Sequence, residues 1–365
     1  MKLKLQKDQL LEKILLSSKF TSNKLSSITT LQSILIKCEK NQVHFYSTNL
    51  SSFFYTSISV EEKGSFEILI EPKKISEFLG LIPSGKIEID IEEKTILFQQ
   101  GKIKGRFPLV KKEEFPLPPE MKEKHEKIQA GFLLNNLPLV LFAAAKDETR
   151  PALSGINFSS TDKQLYVVAT DGFRLSLVKT KNTDNLPSMT VPAEFLGEVI
   201  RHIKGEKETV FSYLPEEKTV MFKINENAFY SRLIDGEFPP FEKVIPQEKK
   251  TTIIIDKDEL IRNIRLISVF ARDYSSVIIC RFSKNELVIT PKTDGKEDNS
   301  TSQEVQMVGE DQKIAFNYKF ILEFLNNVEN KKIIIEVLRP DAPVVFKQEN
   351  NPDFLHIIMP VRIQE

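Results

Sequence analysis

The side chains best suited to acid–base or metal chemistry are few and scattered along this sequence. None of the four histidines has a neighbour at the spacing of an H-E-x-x-H motif, and they lie in four unrelated segments: His44, His125, His202 and His356. Zinc sites and catalytic triads need several such donors held together. We therefore expect no metal site, no cofactor and no catalytic triad.

Acidic residues are abundant, but their arrangement does not indicate a catalytic pair. Asp171 follows a strand-like run and precedes Gly172, in ATDGFRL. As a catalytic acid it would need a second acidic partner, and none is evident, whereas Asp-Gly is an ordinary turn sequence. The glycines of GKIKGRF at 101–107 lack the spacing of a phosphate-binding loop. A hydrolase that uses scattered carboxylates stays as an alternative, but the residues favour a binding or structural protein.

Length and charge narrow the class further. A chain of 365 residues predicts two or three domains. Its 51 basic residues balance 51 acidic ones, which argues against a protein that is basic throughout but allows charge to be separated onto two surfaces. Cys38 and Cys280 have no CxxC partner, and no stretch resembles a signal peptide or a membrane span. We expect a soluble, cytoplasmic protein with two buried thiols.

The elements that would position any site form a repeat. Six segments carry apolar residues on one helical stripe, and their starts are separated by 59 to 65 residues: 7–18, 72–82, 131–145, 192–204, 256–272 and 317–329. Asp256 and Asn317 are suited to cap the last two helices. A period near sixty residues indicates units of one helix and several strands.

Between the helices the chain reads as short strands, for example Phe66–Ile70, Lys86–Ile91, Lys332–Val337 and His356–Val361. Charged, proline-rich stretches at 111–127 and 238–250 indicate junctions. The sequence thus predicts an α+β fold of three similar domains, 1–121, 122–246 and 247–365, each with two helices packed on antiparallel sheets.

One motif makes the chain recognisable. ATDGFRLS at 169–176 resembles the ATDG-[HFY]-RL motif in the middle domain of bacterial sliding clamps, the beta subunit of DNA polymerase III. Further similar segments follow in the right order, and together they cover essentially the whole chain: RPALSGINF at 150–158, SRLIDGEFPPFEKVIP at 231–246, IAFNYKFILEFL at 314–325 and HIIMPVRI at 356–363.

The resemblance implies the DNA clamp fold, in which two chains join head to tail into a closed ring. Such a ring would be a non-catalytic processivity factor that encircles duplex DNA without reading its sequence and tethers the replicative polymerase. The implied partners are a second copy of the chain, double-stranded DNA, the polymerase alpha subunit, an ATP-dependent clamp loader, and translesion polymerases, ligase and mismatch-repair proteins that bind through short peptides. The implied location is the cytoplasm, at the nucleoid, with no membrane partner.

The resemblance also assigns site residues. A groove for peptides of the Gln-x-x-Leu-Phe type would be built from Arg150, Leu153, Thr170, Gly172, Phe173, Arg174, Leu175, Pro239, Val244, Ile357, Met359, Pro360, Val361 and Arg362, with the three arginines at its rim. The dimer interface would bring Phe107 and Leu109 against Val269 and Phe270 of the other chain.

Basic side chains on the six helices are the candidates for contact with DNA phosphates. They are Lys7, Lys13, Lys73, Lys74, Arg201, Lys204, Arg262, Arg265 and Arg272, joined by Lys24 in the loop after the first helix. For each of them a plain solvated helix face is the competing interpretation.

Some segments depart from the family pattern. TTLQSIL at 29–35 lacks the proline that the family often shows, and residues 19–28 fit poorly. Ala193 and Glu194 stand on the fourth helix where some relatives carry basic residues. These departures leave open a second hypothesis, a specialised clamp paralogue that serves a mobile element or a repair pathway.

Overall fold

The six predicted helices are all present in the computed structural model. It describes residues 2–22, 28–61, 64–111, 113–120, 126–147, 149–272, 275–292 and 299–362. The helices are α1 (Lys7–Ser18), α2 (Pro72–Leu81), α3 (Ala130–Leu141), α4 (Ala193–Arg201), α5 (Lys257–Ala271) and α6 (Tyr318–Asn326). Asp256 and Asn317 cap α5 and α6 as predicted, because their side chains accept hydrogen bonds from the backbone N–H groups of Glu259 and Lys319.

The strands of the first third of the chain are β1 (Lys2–Gln6), β2 (Ile34–Glu39), β3 (Gln42–Thr48), β4 (Ser52–Ser59), β5 (Phe66–Ile70), β6 (Lys86–Ile91), β7 (Thr95–Gln100) and β8 (Ile103–Pro108). Those of the middle third are β9 (Glu126–Gln129), β10 (Gly155–Ser160), β11 (Gln164–Thr170), β12 (Arg174–Lys181), β13 (Met189–Pro192), β14 (Glu208–Leu214), β15 (Thr219–Ile224) and β16 (Asn227–Arg232).

The last third holds β17 (Thr251–Asp256), β18 (Val277–Ser283), β19 (Glu286–Pro291), β20 (Thr301–Glu304), β21 (Gln306–Val308), β22 (Gln312–Asn317), β23 (Lys332–Val337), β24 (Val344–Gln348) and β25 (Asn351–Ile358). Three of the four strands named from the sequence are thus confirmed with their bounds, whereas the fourth, predicted at His356–Val361, is found at Asn351–Ile358. Each third repeats one order of elements, and β21 is an addition within the last.

The strands form four antiparallel sheets that follow the repeat. The first and middle thirds share the sheet β5-β2-β3-β4-β16-β15-β14-β9, and the middle and last thirds share β13-β10-β11-β12-β25-β24-β23-β17-β21. The first third also has β1-β6-β7-β8, and the last third has β20-β19-β18-β22. In the described part of the chain, the end strands of these two smaller sheets are β1 and β8, and β20 and β22.

Equivalent backbone contacts fix the first helix of each third. The N–H groups of Lys7, Ala130 and Lys257 donate to the carbonyls that precede β6, β14 and β23, at 2.8, 2.9 and 2.8 Å. Each helix therefore starts at the same place relative to its sheet, so residues of the three thirds can be matched one by one.

The chain divides into two compact units, residues 1–130 with 201–233 and residues 131–200 with 234–365. In the first unit, Leu10 and Ile14 of α1 and Ile75 and Leu79 of α2 are buried in one apolar cluster with the strands. The middle third contributes to both units, and the domain boundaries after residues 121 and 246 stay a prediction. Both cysteines are buried, and they form no disulfide with each other. In the described residues, no helix is long and apolar enough to cross a membrane.

Candidate functional site

The ATDGFRL motif forms the tight turn between β11 and β12. The Asp171 carboxylate accepts hydrogen bonds from the N–H groups of Phe173 (2.9 Å) and Arg174 (3.0 Å). The Thr170 hydroxyl accepts from the N–H of Gly172 at 3.0 Å and donates to the Arg174 carbonyl at 2.6 Å. These bonds make Asp171 a turn-forming residue, and they leave the Phe173 side chain 59% exposed.

Gly172 suits this turn because of its backbone conformation. Its φ of +89° lies in the left-handed region that favours glycine. A Cβ at this position would lie 2.8 Å from Nη1 of Arg150, because the exposed Arg150 guanidinium lies against the turn. Arg150 and Gly172 are therefore neighbours, as the predicted groove requires.

Arg174 is not at the rim of a groove, and that part of the prediction is wrong. The residue is only 5% exposed. Its guanidinium donates to Asp171 (3.0 Å), to the Phe142 carbonyl (2.6 Å) and to the Glu323 carboxylate on α6, and it lies 4.6 Å from the centre of the Phe320 ring. A buried guanidinium needs such partners to offset its lost hydration. Arg174 thus supports the turn from behind.

Leu175 and Ile357 face each other across the pairing of β12 with β25. They are 3% and 0% exposed and share an apolar cluster with Val168, Leu177, Phe241 and Val345. They form the floor beneath this surface rather than its open lining. Leu153, in a short 3-10 turn, is also buried, whereas Pro239 and Val244 are exposed on the segment that carries Phe241.

The C-terminal segment is fixed to the turn by backbone bonds. The N–H of Met359 donates to the Phe173 carbonyl, and that of Val361 donates to the Ala315 carbonyl, both at 2.8 Å. Met359, Pro360 and Val361 are half-buried, and Arg362 is exposed. Val361 packs against Val277, Ile279 and Ala315, a second small cluster. The structure therefore brings Thr170–Leu175 together with Ile357–Met359.

Sequence reasoning missed several residues of this surface. Phe241 and Val345 complete the apolar floor, and Glu323 and the Phe142 carbonyl hold Arg174. Phe241 stands in the quoted segment at 231–246, so its position between prolines and charged residues was an available signal. Glu323 gave none, since its role depends on a contact with a residue 149 positions away.

The candidate DNA contacts divide by exposure. Six are exposed on or just after helices: Lys73, Lys74, Arg201, Lys204, Arg262 and Arg265. Arg262 also pairs with Glu259 at 3.0 Å, and Arg272 is exposed as well. Lys7 and Lys13 are 5% and 2% exposed, so their prediction as phosphate contacts is wrong. Lys24 lies outside the described residues.

The candidate interface residues also differ in exposure. Phe107 and Leu109 are half-buried against the core of the first unit, where the Phe107 ring packs edge-on against Phe78 and Phe98. Val269 and Phe270 are 49% and 44% exposed on α5. Leu266, one turn earlier on α5, is 55% exposed and extends the same apolar stripe.

Among the described residues, no group of three or more His, Cys, Asp or Glu side chains is arranged to hold a metal ion. The buried His356 has a structural environment. Its Nδ1 lies 2.7 Å from the Ser176 hydroxyl, and its ring stacks on Phe324 at 5.1 Å. Burial, aided by the charge of Arg174, holds the pKa of His356 well below its ordinary 6.5, which keeps the ring neutral.

Three family models match consecutive parts of the chain: the DNA polymerase III beta subunit N-terminal domain at 1–119, the central domain at 128–240 and the C-terminal domain at 242–362. The chain is 27% identical over 380 residues to the beta sliding clamp of Bacillus subtilis, covering 99% of this chain and 100% of that protein. The crystal structure of the Bacillus subtilis DNA polymerase sliding clamp matches with a TM-score of 0.90 at 25% identity, and that of the Thermotoga maritima DNA polymerase III beta subunit with 0.91 at 24%, both with full coverage of both chains.

Proposed function

We propose that two copies of this chain, which belongs to the DNA polymerase III beta subunit family, close into a ring around duplex DNA. The chain is a sliding clamp, a non-catalytic processivity factor with the three-domain clamp fold. The observation that carries the proposal is how strands at equivalent positions of the repeat pair with one another. The repeat gives β4, β12 and β20 equivalent places, and likewise β16, β25 and β8. Within the chain, β4 pairs with β16 and β12 pairs with β25.

The remaining members of the two sets, β8 and β20, are end strands of the two smaller sheets. Pairing β8 of one chain with β20 of its partner would complete the series, and doing so twice closes a ring in which neither β8 nor β20 is a free sheet edge. Charge supports this pairing, because β8 exposes Lys104 while β20 exposes Glu304; the exposed Arg106 of β8 is paired with Glu92 of its own chain. The apolar stripe Leu266, Val269 and Phe270 would be covered at the same interface, against the half-buried Phe107 and Leu109 of the partner.

We propose that exposed basic residues on or just after the helices contact the DNA backbone. The candidates are Lys73, Lys74, Arg201, Lys204, Arg262 and Arg265. Contacts to phosphate carry no sequence information, so a ring can move along the duplex. Topology rather than affinity would hold it on DNA, which is compatible with a net charge of zero.

We propose that the surface around Phe173 and Met359 binds short peptides of partner proteins. The exposed Phe173 and Val244 and the half-buried Met359 stand over an apolar floor, and Arg150 and Arg362 supply positive charge beside them. This arrangement suits a peptide with leucine and phenylalanine side chains and a polar flank. The polymerase alpha subunit, the clamp loader, translesion polymerases, ligase and mismatch-repair proteins are the partners proposed, in the cytoplasm at the nucleoid.

The topological claim has a direct test. The chain is loaded on a nicked circular duplex by a clamp loader with ATP, and the free protein is removed by gel filtration. The proposal predicts that the protein stays with the circle and is lost when the circle is cut once with a restriction enzyme. Equal retention on circular and linear DNA would show ordinary binding and refute the ring.

A further inference from the structure

The first helices of the first and last thirds can be matched residue by residue. α1 begins at Lys7 and α5 at Lys257, and both N–H groups make the equivalent bond to the carbonyl before β6 or β23. The seventh residue is Lys13 in α1 and Asn263 in α5. Both are nearly fully buried, at 2% and 3% exposure. A buried lysine and a buried amide at one repeat position invite comparison of their partners.

Lys13 connects the first third of the chain to the middle third. Its ammonium group donates to the Glu226 carboxylate and, at 3.2 Å, to Oδ1 of Asn227, at the turn into β16. Thr56 on β4 donates to the same Asn227 oxygen at 2.7 Å. Partial burial alone would raise the pKa of Glu226, but the hydrogen bond and charge of Lys13 hold it below its ordinary value. We call Lys13, Thr56, Glu226 and Asn227 the seam lock, because β4 and β16 pair at the seam it spans.

Asn263 forms its side-chain hydrogen bonds within its own third of the chain. Its amide donates to Gln303 at 3.0 Å and accepts from Thr301 at 2.9 Å, both on β20. Thr56 on β4 lies opposite Phe45, and Thr301 on β20 lies opposite Ile289, which are the fourth residues of β3 and β19. Thr301 is therefore the equivalent of Thr56, and Gln303 is the equivalent of Ile58. The positions of the seam lock are therefore present, but its cation is replaced.

The acceptors of the lock are replaced as well. The turns before β16 and β8 match, because Asn225 and Gly101 both have positive φ, +53° and +57°. Counting from these turns, Lys102 and Ile103 stand where Glu226 and Asn227 stand. At the proposed closing seam, a neutral Asn263 would thus face Lys102 of the partner subunit, and no counterpart of the Lys13–Glu226 pair could form at this position.

We propose that this chain carries a buried cation lock at the seam between its first and middle thirds and omits it at the seam between subunits, which weakens the closing seam. The seam between the middle and last thirds lacks this lock, because the seventh residue of α3 is Asn136, which donates to the Phe132 carbonyl of its own helix. Arg174 on β12 donates to Glu323 on α6 at that seam, but it is also paired with Asp171 of its own third. Parting the seam that Lys13 spans would strip a buried charge of its partner, which is costly. Parting the closing seam leaves Asn263 fully bonded. The inference rests on the proposed ring.

Transplanting the lock tests the inference. The variant Lys102→Glu, Ile103→Asn, Asn263→Lys and Gln303→Ile copies Glu226, Asn227, Lys13 and Ile58, and Thr301 already matches Thr56. Since each chain carries both halves, both closing seams gain a lock. We expect the dimer dissociation constant to fall at least about tenfold, as measured by fluorescence dilution. The control retains Lys102 with the other three substitutions, and it should bind more weakly than the wild type.

The outcomes are distinct. A wild type that never dimerises refutes the ring and with it the inference. A wild type that dimerises, with a folded transplant no tighter than it, refutes only the inference. If the transplant does not fold, the internal lock is tested instead by hydrogen exchange on Lys13→Met. The account predicts faster exchange of amides in β4 and β16 with an unchanged dimer dissociation constant, and unchanged exchange refutes it. Lys94→Met, at an exposed loop position, is the control.

Discussion

The backbone N–H of Met359 donates to the carbonyl of Phe173 at 2.8 Å, and this bond joins the C-terminal segment to the ATDGFRL turn. The two residues are distant in sequence, yet both stand over the floor formed by Leu175 and Ile357. The Phe173 side chain is well exposed, and Met359 is half-buried. The relationship defines where a partner peptide would lie.

Phe173→Ala should weaken peptide binding while leaving the fold intact. Because the ring is 59% exposed, its removal should change the free energy of unfolding by less than about 0.5 kcal/mol. A peptide of the Gln-x-x-Leu-Phe type should lose about tenfold in affinity, since an exposed aromatic anchor would be lost. Fluorescence anisotropy measures it. Leu134→Ala, at an exposed apolar residue of α3, is the control, and equal losses for both variants would place the groove elsewhere.

Arg174→Met should destabilise the protein strongly. The guanidinium is buried and bonded to Asp171, Glu323 and the Phe142 carbonyl, so its removal strands these partners and should cost about 3 kcal/mol. Urea unfolding measures the loss. Arg150→Met, at an exposed position, should cost less than about 0.5 kcal/mol. A small loss for Arg174→Met would mean that the buried network contributes little.

His356 should make the protein sensitive to acid. Burial and the Arg174 charge lower the pKa of His356 in the folded chain below 6.5, so the unfolded chain binds the proton first. The contribution of neutral His356 to the free energy of unfolding is fully present above pH 6.5. It is lost as the pH falls below that value, by at most about 1.4 kcal/mol per pH unit. The difference in unfolding free energy between wild type and His356→Phe, followed from pH 7 to 5, measures it. The pKa of His44 is also lowered, mainly by burial, but His44 is present in both proteins and cancels. A difference that does not vary with pH would contradict the account.

Phe270→Arg should convert the dimer into monomers without unfolding them. The side chain is 44% exposed, so the substitution costs the isolated chain little, but an arginine would interrupt the stripe Leu266, Val269 and Phe270. Sedimentation velocity measures the mass. Val308→Arg is the matched control, because Val308 is 79% exposed on β21 and lies outside the stripe. If both variants stayed dimeric, α5 would not form the interface.

The helices and the repeat were predictable because they depend on local patterns. Apolar stripes gave all six helices, and the short polar residues Asp256 and Asn317 gave two of their starts. The sixty-residue period gave the three similar parts. These signals lie within one element or one repeat, so they do not depend on how distant segments meet.

Contacts between distant segments were not predictable in the same way. Lys13 looks like a solvent-facing helix residue until β16 brings Glu226 and Asn227 to it, 213 and 214 positions away. Arg174 looks like a rim residue until α6 brings Glu323. In both cases a long cationic side chain is buried against a distant partner, and the nearby sequence gives no sign of that partner. The sequence pattern therefore predicted which segments meet at the candidate site but misjudged which charged residues face solvent.

The ring is the central claim, and the mass of the purified protein tests it most directly. Gel filtration with light scattering at micromolar concentration should give a mass near twice 41.9 kDa. The Phe270→Arg variant should give about half of the wild-type value in the same run. A wild-type mass of 41.9 kDa under these conditions would contradict the account.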